Sequence, residues 1–321
     1  LKCYSISAEN KYYDESPRIK TFSKELGYEE NFIKMNKLDN HKFLQNIILD
    51  THYPICSISY LVYAHLNKVI NEDGFRVLLQ GSGGDEIYAG YYTHQMNYLV
   101  SNQNSKNFKD IYGEWEKFVK PFIRSRILSD IKYYKSKLKR NFASFHEQDE
   151  IRFYLSDENK TSQIREKKYF KSFFKNRLAI DLFRDMIPPQ TLSSDQVSMH
   201  FSIENRCPFL SHELYEFTST LPEDYLIRNG YGKSILRDAM KNIVPKEILK
   251  FREKIGFNAD INSFFNLKSK KFKEKIFQSS LINKFINVDR VNKLLSKEKI
   301  NNAEGKFIFC IINLAILANI N

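Results

Sequence analysis

The sequence predicts an α/β protein in which a parallel sheet carries helices on both faces and a mainly helical region follows. In the first third of the chain, short apolar runs typical of strands alternate with longer helical segments, which is the pattern of a parallel sheet. From about residue 90 the chain is helical, aromatic and basic, and strand patterns are few. We therefore expect an α/β part over residues 1–95 and a helical part over residues 96–321, packed on the first as one unit.

Strands and helices alternate in the α/β part. Strands are predicted at residues 1–7, 31–35 and 75–80, and helices at residues 16–27, 41–52 and 58–73. Pro17 stands just inside the start of the first helix and Gly27 ends it, as the backbone preferences of the two residue types favour. The third strand, FRVLLQ, is a short β-rich run of the kind that suits a buried parallel strand.

The composition is that of an ordinary globular protein. Apolar residues make up 42% and charged residues 27% of the 321-residue chain, which can bury a large core. No apolar run approaches the roughly 18 residues of a membrane span, and the apolar segment 307–320 is expected to be a buried last helix. The cysteines are far apart and form no CxxC pair, which argues against a metal or disulfide framework and fits a reducing cytoplasm.

The net charge of +12 raises the question of nucleic-acid binding. The lysine-rich segments 131–140 and 268–275 have instead the pattern of solvated helix faces, and the whole chain is biased towards lysine, asparagine and isoleucine. We therefore expect neither a nucleic-acid nor a membrane partner.

The stretch LLQGSGGDEIYAGY, residues 78–91, combines a strand end, three glycines within the four positions 81–84, and two acids. In open α/β sheets ligands bind at the carboxyl ends of strands, and glycines let backbone N–H groups approach a phosphate closely. The spacing fits neither the dinucleotide pattern nor the P-loop pattern. Asp85, directly after the glycines, is better placed to hold a metal ion beside a phosphate than the phosphate itself. A tight turn with an acidic helix start is the structural alternative.

Two further stretches complete a pattern. SSDQVSMHFSIENRCPFLSHELYEF covers residues 193–217, and GYGKSILRDAMKNIVPKEILKFREKIGF covers residues 230–257. Together with the glycine loop, in this order and spacing, they resemble the synthetase domain of asparagine synthetase. The opening YSIS…DES…ELG, residues 4–27, is similar as well, so that the resemblance covers essentially residues 1–260.

The resemblance implies a fold and a reaction. The fold is an adenine-nucleotide α-hydrolase-like sheet followed by a helical C-terminal region, which makes residues 1–95 the nucleotide-binding part. The reaction is the Mg-ATP-dependent adenylation of a carboxylate, usually the side chain of aspartate, with loss of pyrophosphate. Ammonia then attacks the acyl-adenylate and an amide forms. In full-length members the ammonia comes from glutamine, through an N-terminal glutaminase domain.

The resemblance also assigns roles to single residues, with ATP and Mg²⁺ as the expected cofactors. Two residues are expected to act in catalysis: Asp85 matches a metal-binding aspartate, and Lys233 matches a lysine thought to hold phosphate charge. A fixed ammonium and a magnesium ion would stabilise the negative charge that builds on pyrophosphate. The nucleotide-binding positions, of which the first borders the adenine, are expected to be Ile6, Gln80, Gly81, Ser82 and Gly83.

Other matched positions are expected to be structural. Arg206 and Glu204 should form an internal pair, and His200 should have a core or supporting role. For Glu86 two interpretations stay open: a functional acid, or an acid that the dipole of a helix favours near its N-terminus.

The sequence departs from the family at its start. It contains no SGGxDS segment, which in the family forms a pyrophosphate-binding loop just upstream of the YSIS strand, and no glutaminase domain. We expect the chain to be a C-terminal piece of a longer protein, incomplete at its N-terminus and inactive alone; an inactive natural remnant is the alternative. A strand missing from the sheet would expose an edge, so we expect poor solubility unless another chain covers it.

The second departure is Ser82, which stands where many asparagine synthetases have a glutamate that is a candidate base for ammonia. A serine is a poor base at neutral pH without a partner. Ser82 therefore weakens the case for ammonia and aspartate as substrates, but not the case for adenylation. Asparagine synthesis is the simplest hypothesis; a related amidotransferase or cyclase acting on another carboxylate is the alternative. The acceptor carboxylate, the nitrogen donor and any homo-oligomer are left undecided.

Overall fold

The computed structural model describes residues 2–7, 14–34, 40–123, 125, 127–138, 151–156, 167–254 and 259–319. Some residues that the sequence analysis used lie outside these ranges: Leu1, Met35, the lysine-rich residues 139–140, Gly256 and Phe257 at the end of the stretch 230–257 (the third motif, after the glycine loop and the stretch 193–217), and Ile320.

The first sheet has two parallel strands. Strand β1, Lys2–Ser7, pairs with β2, Glu29–Lys34, in a register that places Lys2 opposite Glu29 and Ser7 opposite Lys34. The connecting helix α1, Ser16–Leu26, has a proline in its first turn and ends at Gly27, whose φ of 68° is left-handed. The predicted strand–helix–strand order at the N-terminus is therefore confirmed, with β2 beginning two residues early.

Helices α2, Asn40–Thr51, and α3, Ile58–Glu72, follow as predicted. The third predicted strand is shorter than expected: β3 is Val77–Leu79, and it pairs in parallel with β4, Glu204–Arg206. Helix α3 connects the two sheets, because its Leu66 and Ile70 form a cluster against which Ile6 of β1, Ile33 of β2 and Leu78 of β3 all pack.

The described residues contain small parallel sheets among helices, which confirms the α/β class, but these are two separate two-stranded sheets and not the single sheet that we expected. Strand β3 buries only one face. Leu78 packs towards α3, whereas Val77 and Leu79 are 53% and 62% exposed. Since successive side chains of a strand point to opposite faces, an apolar run does not by itself show that both faces are covered.

The middle of the chain is helical. Helix α5, Tyr92–Asn102, crosses the expected boundary at residue 95. The division into residues 1–95 and 96–321 remains a prediction. A π-helical turn, Asp181–Asp185, joins helix α8, Phe173–Ile180, to helix α9, Ile187–His200. The helices are α4 Gly84–Tyr88, α5 Tyr92–Asn102, α6 Phe108–Phe118, α7 Ile131–Leu138, α8 Phe173–Ile180 and α9 Ile187–His200.

The remaining chain is also helical. Its helices are α10 His212–Thr220, α11 Glu223–Leu226, α12 Ser234–Ala239, α13 Lys246–Lys250, α14 Ile261–Phe264, α15 Lys270–Phe277, α16 Ser280–Phe285, α17 Val288–Leu295 and α18 Asn302–Leu317. The predicted buried last helix is confirmed, because α18 packs in one core cluster with α2, α3 and α14–α17. None of the described helices is both long and apolar enough to cross a lipid bilayer.

Candidate active site

The glycine loop begins where β3 ends. The backbone N–H of Gln80 donates to the carbonyl of Arg206 at 2.8 Å and so extends the ladder of the second sheet by one bond. Gly83 has a φ of 92°, and a Cβ at this position would run into Leu210. Only glycine fits there, because L-residues rarely adopt this backbone and the space is filled. The chain then enters α4, and Asp85 lies in its first turn.

Asp85 faces two lysines. Lys233 Nζ lies 2.9 Å from its Oδ1, and Lys254 Nζ donates to its Oδ2 at 2.9 Å. The Asp85 side chain is 18% exposed, and those of the lysines are 30% and 31% exposed. Three distant segments of sequence therefore meet in one partly buried cluster: the first turn of α4, the residue before α12 and the segment after α13.

The charges of this cluster keep Asp85 ionised. Burial by itself would raise the pKa of this carboxyl, but the ammonium groups of Lys254 and Lys233 outweigh burial and hold the pKa below its usual value. The cluster carries one negative and two positive charges at neutral pH. It therefore has an excess of positive charge beside a loop of backbone N–H groups, which suits an anionic ligand.

The backbone around Lys233 is held in an uncommon conformation. Lys233 and Ala89 both have positive φ values, 57° and 61°. The N–H of Lys233 donates to the carbonyl of Tyr88 at 2.9 Å, and a Cβ on Gly232 would collide with the carbonyl of Ala89. Non-glycine residues in the left-handed region persist where the surrounding structure enforces them, and they concentrate at functional sites.

Lys254 is the functional candidate that the sequence analysis did not select. It lies in FREKIGF, residues 251–257, at the end of the motif 230–257, so the motif itself contained the signal. The backbone N–H of Lys254 donates to the hydroxyl of Tyr92 at 3.0 Å, and its ammonium lies 5.4 Å from the centroid of the Tyr91 ring. The two tyrosines after the glycine loop therefore position this lysine against Asp85.

Glu86 is directed away from the loop and into the protein. It is 2% exposed, and the hydroxyl of Tyr91 donates to its Oε1 at 2.6 Å. Burial raises the pKa of this carboxyl, although the Tyr91 hydrogen bond partly offsets the effect. Between the two interpretations left open for Glu86, this geometry favours a structural one: the side chain anchors Tyr91, which in turn contacts Lys254.

A second polar network supports the start of α5. The Tyr91 N–H donates to His94 Nδ1, so that Nε2 of this fully buried ring carries the proton and donates to Asp181 at 2.9 Å. Arg177 pairs with both Asp181 and Asp185. These buried charges are all paired, which is the condition under which they are tolerated in a protein interior.

The remaining loop residues have polar but non-basic partners. Gln80 Nε2 donates to Ser194 Oγ at 2.9 Å, and the Ser82 hydroxyl lies 3.5 Å from Gln80 Oε1 and contacts Cys207. Neither partner is a general base, so this arrangement does not activate Ser82 as a nucleophile. Gly81 is exposed at the tip of the loop.

Ile6 lies on the other sheet. It is partly buried on β1, in the α3 cluster that also takes Leu78 from the strand leading into the loop. The expected Arg206–Glu204 pair is present at 2.9 Å, but both side chains are more than half exposed. His200 Nδ1 lies 2.8 Å from Asp50, at a side-chain exposure of 15%, which agrees with its expected supporting role.

The donor set at Asp85 fits a magnesium ion of the kind that shares its coordination with phosphates. No group of three or more histidine, cysteine or acidic residues able to hold a metal occurs in the described ranges. Asp85 Oδ1 is buried and makes no aligned hydrogen bond, although it faces the Lys233 ammonium. Mg²⁺ is often held by one or two carboxylates and by phosphate oxygens of the substrate. Asp85 is therefore the protein ligand that the site would contribute.

Comparison with known proteins places this chain in a family. The family model described as asparagine synthase matches residues 1–307. An asparagine synthetase (glutamine-hydrolyzing) of Bacillus subtilis is 22% identical over all of this chain and 52% of its own length. The amidase chyE of Penicillium rubens is 24% identical over 79% of this chain and 43% of its own.

A human asparagine synthetase (glutamine-hydrolyzing) is 34% identical over 26% of this chain and 16% of its own length. The chain spans about half the length, or less, of these curated relatives. The family match covers β1, the glycine loop with Asp85, and both lysines that contact this aspartate. By this match, the chain belongs to the asparagine synthase family.

Proposed function

We propose that the chain is the synthetase part of an ATP-dependent amide-forming ligase, with ATP and Mg²⁺ as cofactors and an adenine-nucleotide α-hydrolase-like arrangement of its sheet. The observation that carries the proposal is the cluster of Asp85, Lys233 and Lys254 at the end of the glycine loop. Its excess of positive charge and its exposed loop backbone fit the phosphates of a nucleotide.

The reaction requires a site that stabilises negative charge as it develops. A carboxylate oxygen of the acceptor attacks the α-phosphorus of ATP, an acyl–oxygen–phosphorus bond forms, and the bond to the β-phosphate breaks and releases pyrophosphate. A nitrogen nucleophile then attacks the acyl carbon and expels AMP. Lys233 and Lys254 are fixed on Asp85 before the reaction, so their ammonium groups can stabilise the leaving pyrophosphate without reorganisation. Mg²⁺ held by Asp85 would supply further positive charge there.

The nucleotide would lie across the loop. In this proposal the backbone of Gln80, Gly81, Ser82 and Gly83 faces the phosphates, and Ile6 borders the adenine. The helix cluster beneath both sheets supports this, because Ile6 and Leu78 pack on the same helix.

Aspartate and ammonia derived from glutamine are the first substrates to test, since relatives of this chain carry the name asparagine synthetase. A glutaminase domain, upstream or in trans, would then be the partner. Ser82 favours the second candidate, an amidotransferase or cyclase acting on another carboxylate, because its polar partners do not make it a base. The cytoplasm remains the proposed location, supported by four unpaired cysteines.

The test is pyrophosphate release from Mg-ATP by the protein expressed from its own start codon. Release that depends on aspartate, with asparagine as product, would identify the acceptor as aspartate. Release with a different carboxylate would keep the reaction and change the acceptor. If no carboxylate supports release from a folded protein, the proposal fails and a non-catalytic role has to be considered.

A further inference from the structure

A cavity of about 400 Å³ lies beside the proposed active site, between α1 and the segment from α12 to α13. This volume is within the range of small-molecule binding sites, roughly 300–1,000 Å³. Its wall is mostly apolar and includes an aromatic ring from each side. Representative lining residues are Ile19, Phe22, Leu236, Met240, Val244 and Phe251.

The cavity shares a residue with the cluster described above. Lys233 lines it, and the Nζ of this lysine lies 2.9 Å from Asp85. At the other wall, the guanidinium of Arg18 stacks on Phe251 at 3.8 Å from the ring centroid and lies 3.6 Å from Glu15. Among the described lining residues the one acid, Glu15, is therefore already paired, and Lys233 connects the cavity to Asp85.

Arg237 adds a positive charge with no carboxylate partner among the described residues. Its N–H groups donate instead to backbone carbonyls, those of Gly232 at 2.9 Å and Leu249 at 2.7 Å. Burial, and then the nearby Arg252, lower the pKa of this guanidinium. A partly buried cation without a counter-charge is costly, so an anion in the cavity would be favoured electrostatically.

We propose that this cavity binds the apolar body of the acceptor, with the acceptor carboxylate directed towards Lys233, and that the acceptor is an apolar or aromatic carboxylic acid. The inference rests on the proposed adenylation activity. Aspartate fits the cavity poorly, because its second carboxylate and its ammonium group would need polar partners where the wall is apolar. An apolar acid offers one anionic end to the cationic side and buries the rest, at roughly 25 cal/mol for each Å² of apolar surface.

The first test is direct binding, measured by isothermal titration calorimetry on the protein expressed from its own start codon. The probes are 3-phenylpropanoate, aspartate and the uncharged 3-phenylpropan-1-ol. We expect 3-phenylpropanoate to bind at least tenfold more tightly than either of the others. Equal or tighter binding of aspartate would overturn the proposal.

Two variants localise the binding. Val244→Phe fills the cavity and should weaken 3-phenylpropanoate at least tenfold, whereas Ile243→Phe changes a 59% exposed neighbour and should leave affinity unchanged. Should Val244→Phe fail to fold, Arg237→Gln serves instead: it should weaken the acid while leaving the alcohol unaffected. Unchanged affinity in the folded variant that is tested would contradict the assignment.

Pyrophosphate release separates this inference from the proposed function. If pyrophosphate release depends on 3-phenylpropanoate, and Val244→Phe raises the KM for this acid but not the KM for ATP, the result supports both the proposed function and the cavity assignment. Release with aspartate that Val244→Phe does not affect keeps the proposed function and overturns the cavity assignment. No release with any acid, together with binding that Val244→Phe abolishes, overturns the proposed function and leaves the cavity as a binding site for apolar carboxylates.

Discussion

At the level of single residues, the candidate site depends on one carboxylate that faces two ammonium groups. Among the described residues Asp85 is the acid of this contact, and each of its oxygens lies 2.9 Å from a lysine nitrogen. Removing the carboxylate charge would leave Lys233 and Lys254 close together without a counter-charge. The contact therefore contributes to stability as well as to the proposed chemistry.

The change Asp85→Asn tests this balance. The cluster is partly buried, so its loss should cost an amount between those typical of exposed and fully buried pairs, about 2 kcal/mol in the free energy of unfolding. Urea unfolding at neutral pH measures it. The control is Glu116→Gln, which removes the exposed Lys120–Glu116 pair and should leave the unfolding midpoint nearly unchanged. Equal midpoints for both variants would show that the cluster is not coupled to folding.

The left-handed backbone of Lys233 leads to a second prediction. Glycine tolerates this conformation and alanine does not, so Lys233→Gly should be more stable than Lys233→Ala by about 1 kcal/mol, although both lose the ammonium group. At the exposed Lys293, inside helix α17, the order should reverse by a similar amount. Thermal or urea unfolding of the four variants provides the comparison. Alanine equal to glycine at position 233 would mean that its backbone relaxes to a common conformation.

At the site, the sequence predicts the participants better than their arrangement. The motifs identify Asp85 and Lys233, because glycine spacing and a charged residue in a motif are local features. Lys254 and Asp85 are 169 residues apart in the sequence. Which charged residue of the third motif contacts Asp85 therefore depends on tertiary packing. Gly83 could be predicted as a glycine loop position, but the Leu210 side chain that makes glycine necessary there could not.

At the level of elements, the pair α2–α3 is held by a buried histidine. His65 is 6% exposed, hydrogen-bonds Asn40 at 2.9 Å and stacks on Phe43 with ring centroids 4.3 Å apart. Burial, followed by the charge of Lys68, lowers the pKa of His65 to about 4. The ring is therefore neutral in the folded protein at every pH at which enzymes of this kind would be assayed.

Because of the low pKa of His65, we predict that the free energy of unfolding falls in mild acid. Its pKa is lower in the folded than in the unfolded chain, so the folded state binds fewer protons and stability is lost as pH falls from 6.5 towards 4. Between pH 7.5 and 5.0 the loss should be about 2 kcal/mol. His65→Gln, which can still bond Asn40, should remove that part of the pH dependence in urea unfolding.

The control is His212→Gln, since the His212 side chain is 78% exposed. This variant should keep the pH dependence of the parent protein. A His65→Gln variant that loses as much stability as the parent between the same pH values would contradict the assignment to His65.

The elements near the N-terminus follow the sequence closely. Pro17 and Gly27 bound α1 as expected, and the helices α2 and α3 lie within one residue of their predicted ends. The failure is at β3, where an apolar run suggested burial on both faces. Burial of a strand depends on what lies on each face and at each edge, and these neighbours come from distant parts of the chain.

On the scale of the whole molecule, α3 is the helix against which both small sheets pack. It packs against both two-stranded sheets and, through Leu61 and Ala64, against the C-terminal helices. The helical character of the C-terminal region was predicted, and so was the burial of α18. That the strands form two sheets was not predictable from periodicity, because periodicity indicates strands and not their partners.

The exposed face of β3 has a consequence for self-association. Val77 and Leu79 are 53% and 62% exposed on a short strand, and exposed apolar strands promote association between chains. The double change Val77→Thr and Leu79→Thr places a β-branched residue, which strands favour, at both positions and makes the face polar. We expect it to raise the concentration at which the chain begins to associate, measured by light scattering and sedimentation velocity, with the unfolding midpoint little changed.

The matched control is Val62→Thr with Leu61→Thr, two residues of α3 that are 4% and 0% exposed. Burying their hydroxyls should cost at least about 2 kcal/mol in the free energy of unfolding and increase association. Association that persists unchanged in the β3 variant would mean that this face is not the surface through which the chains meet.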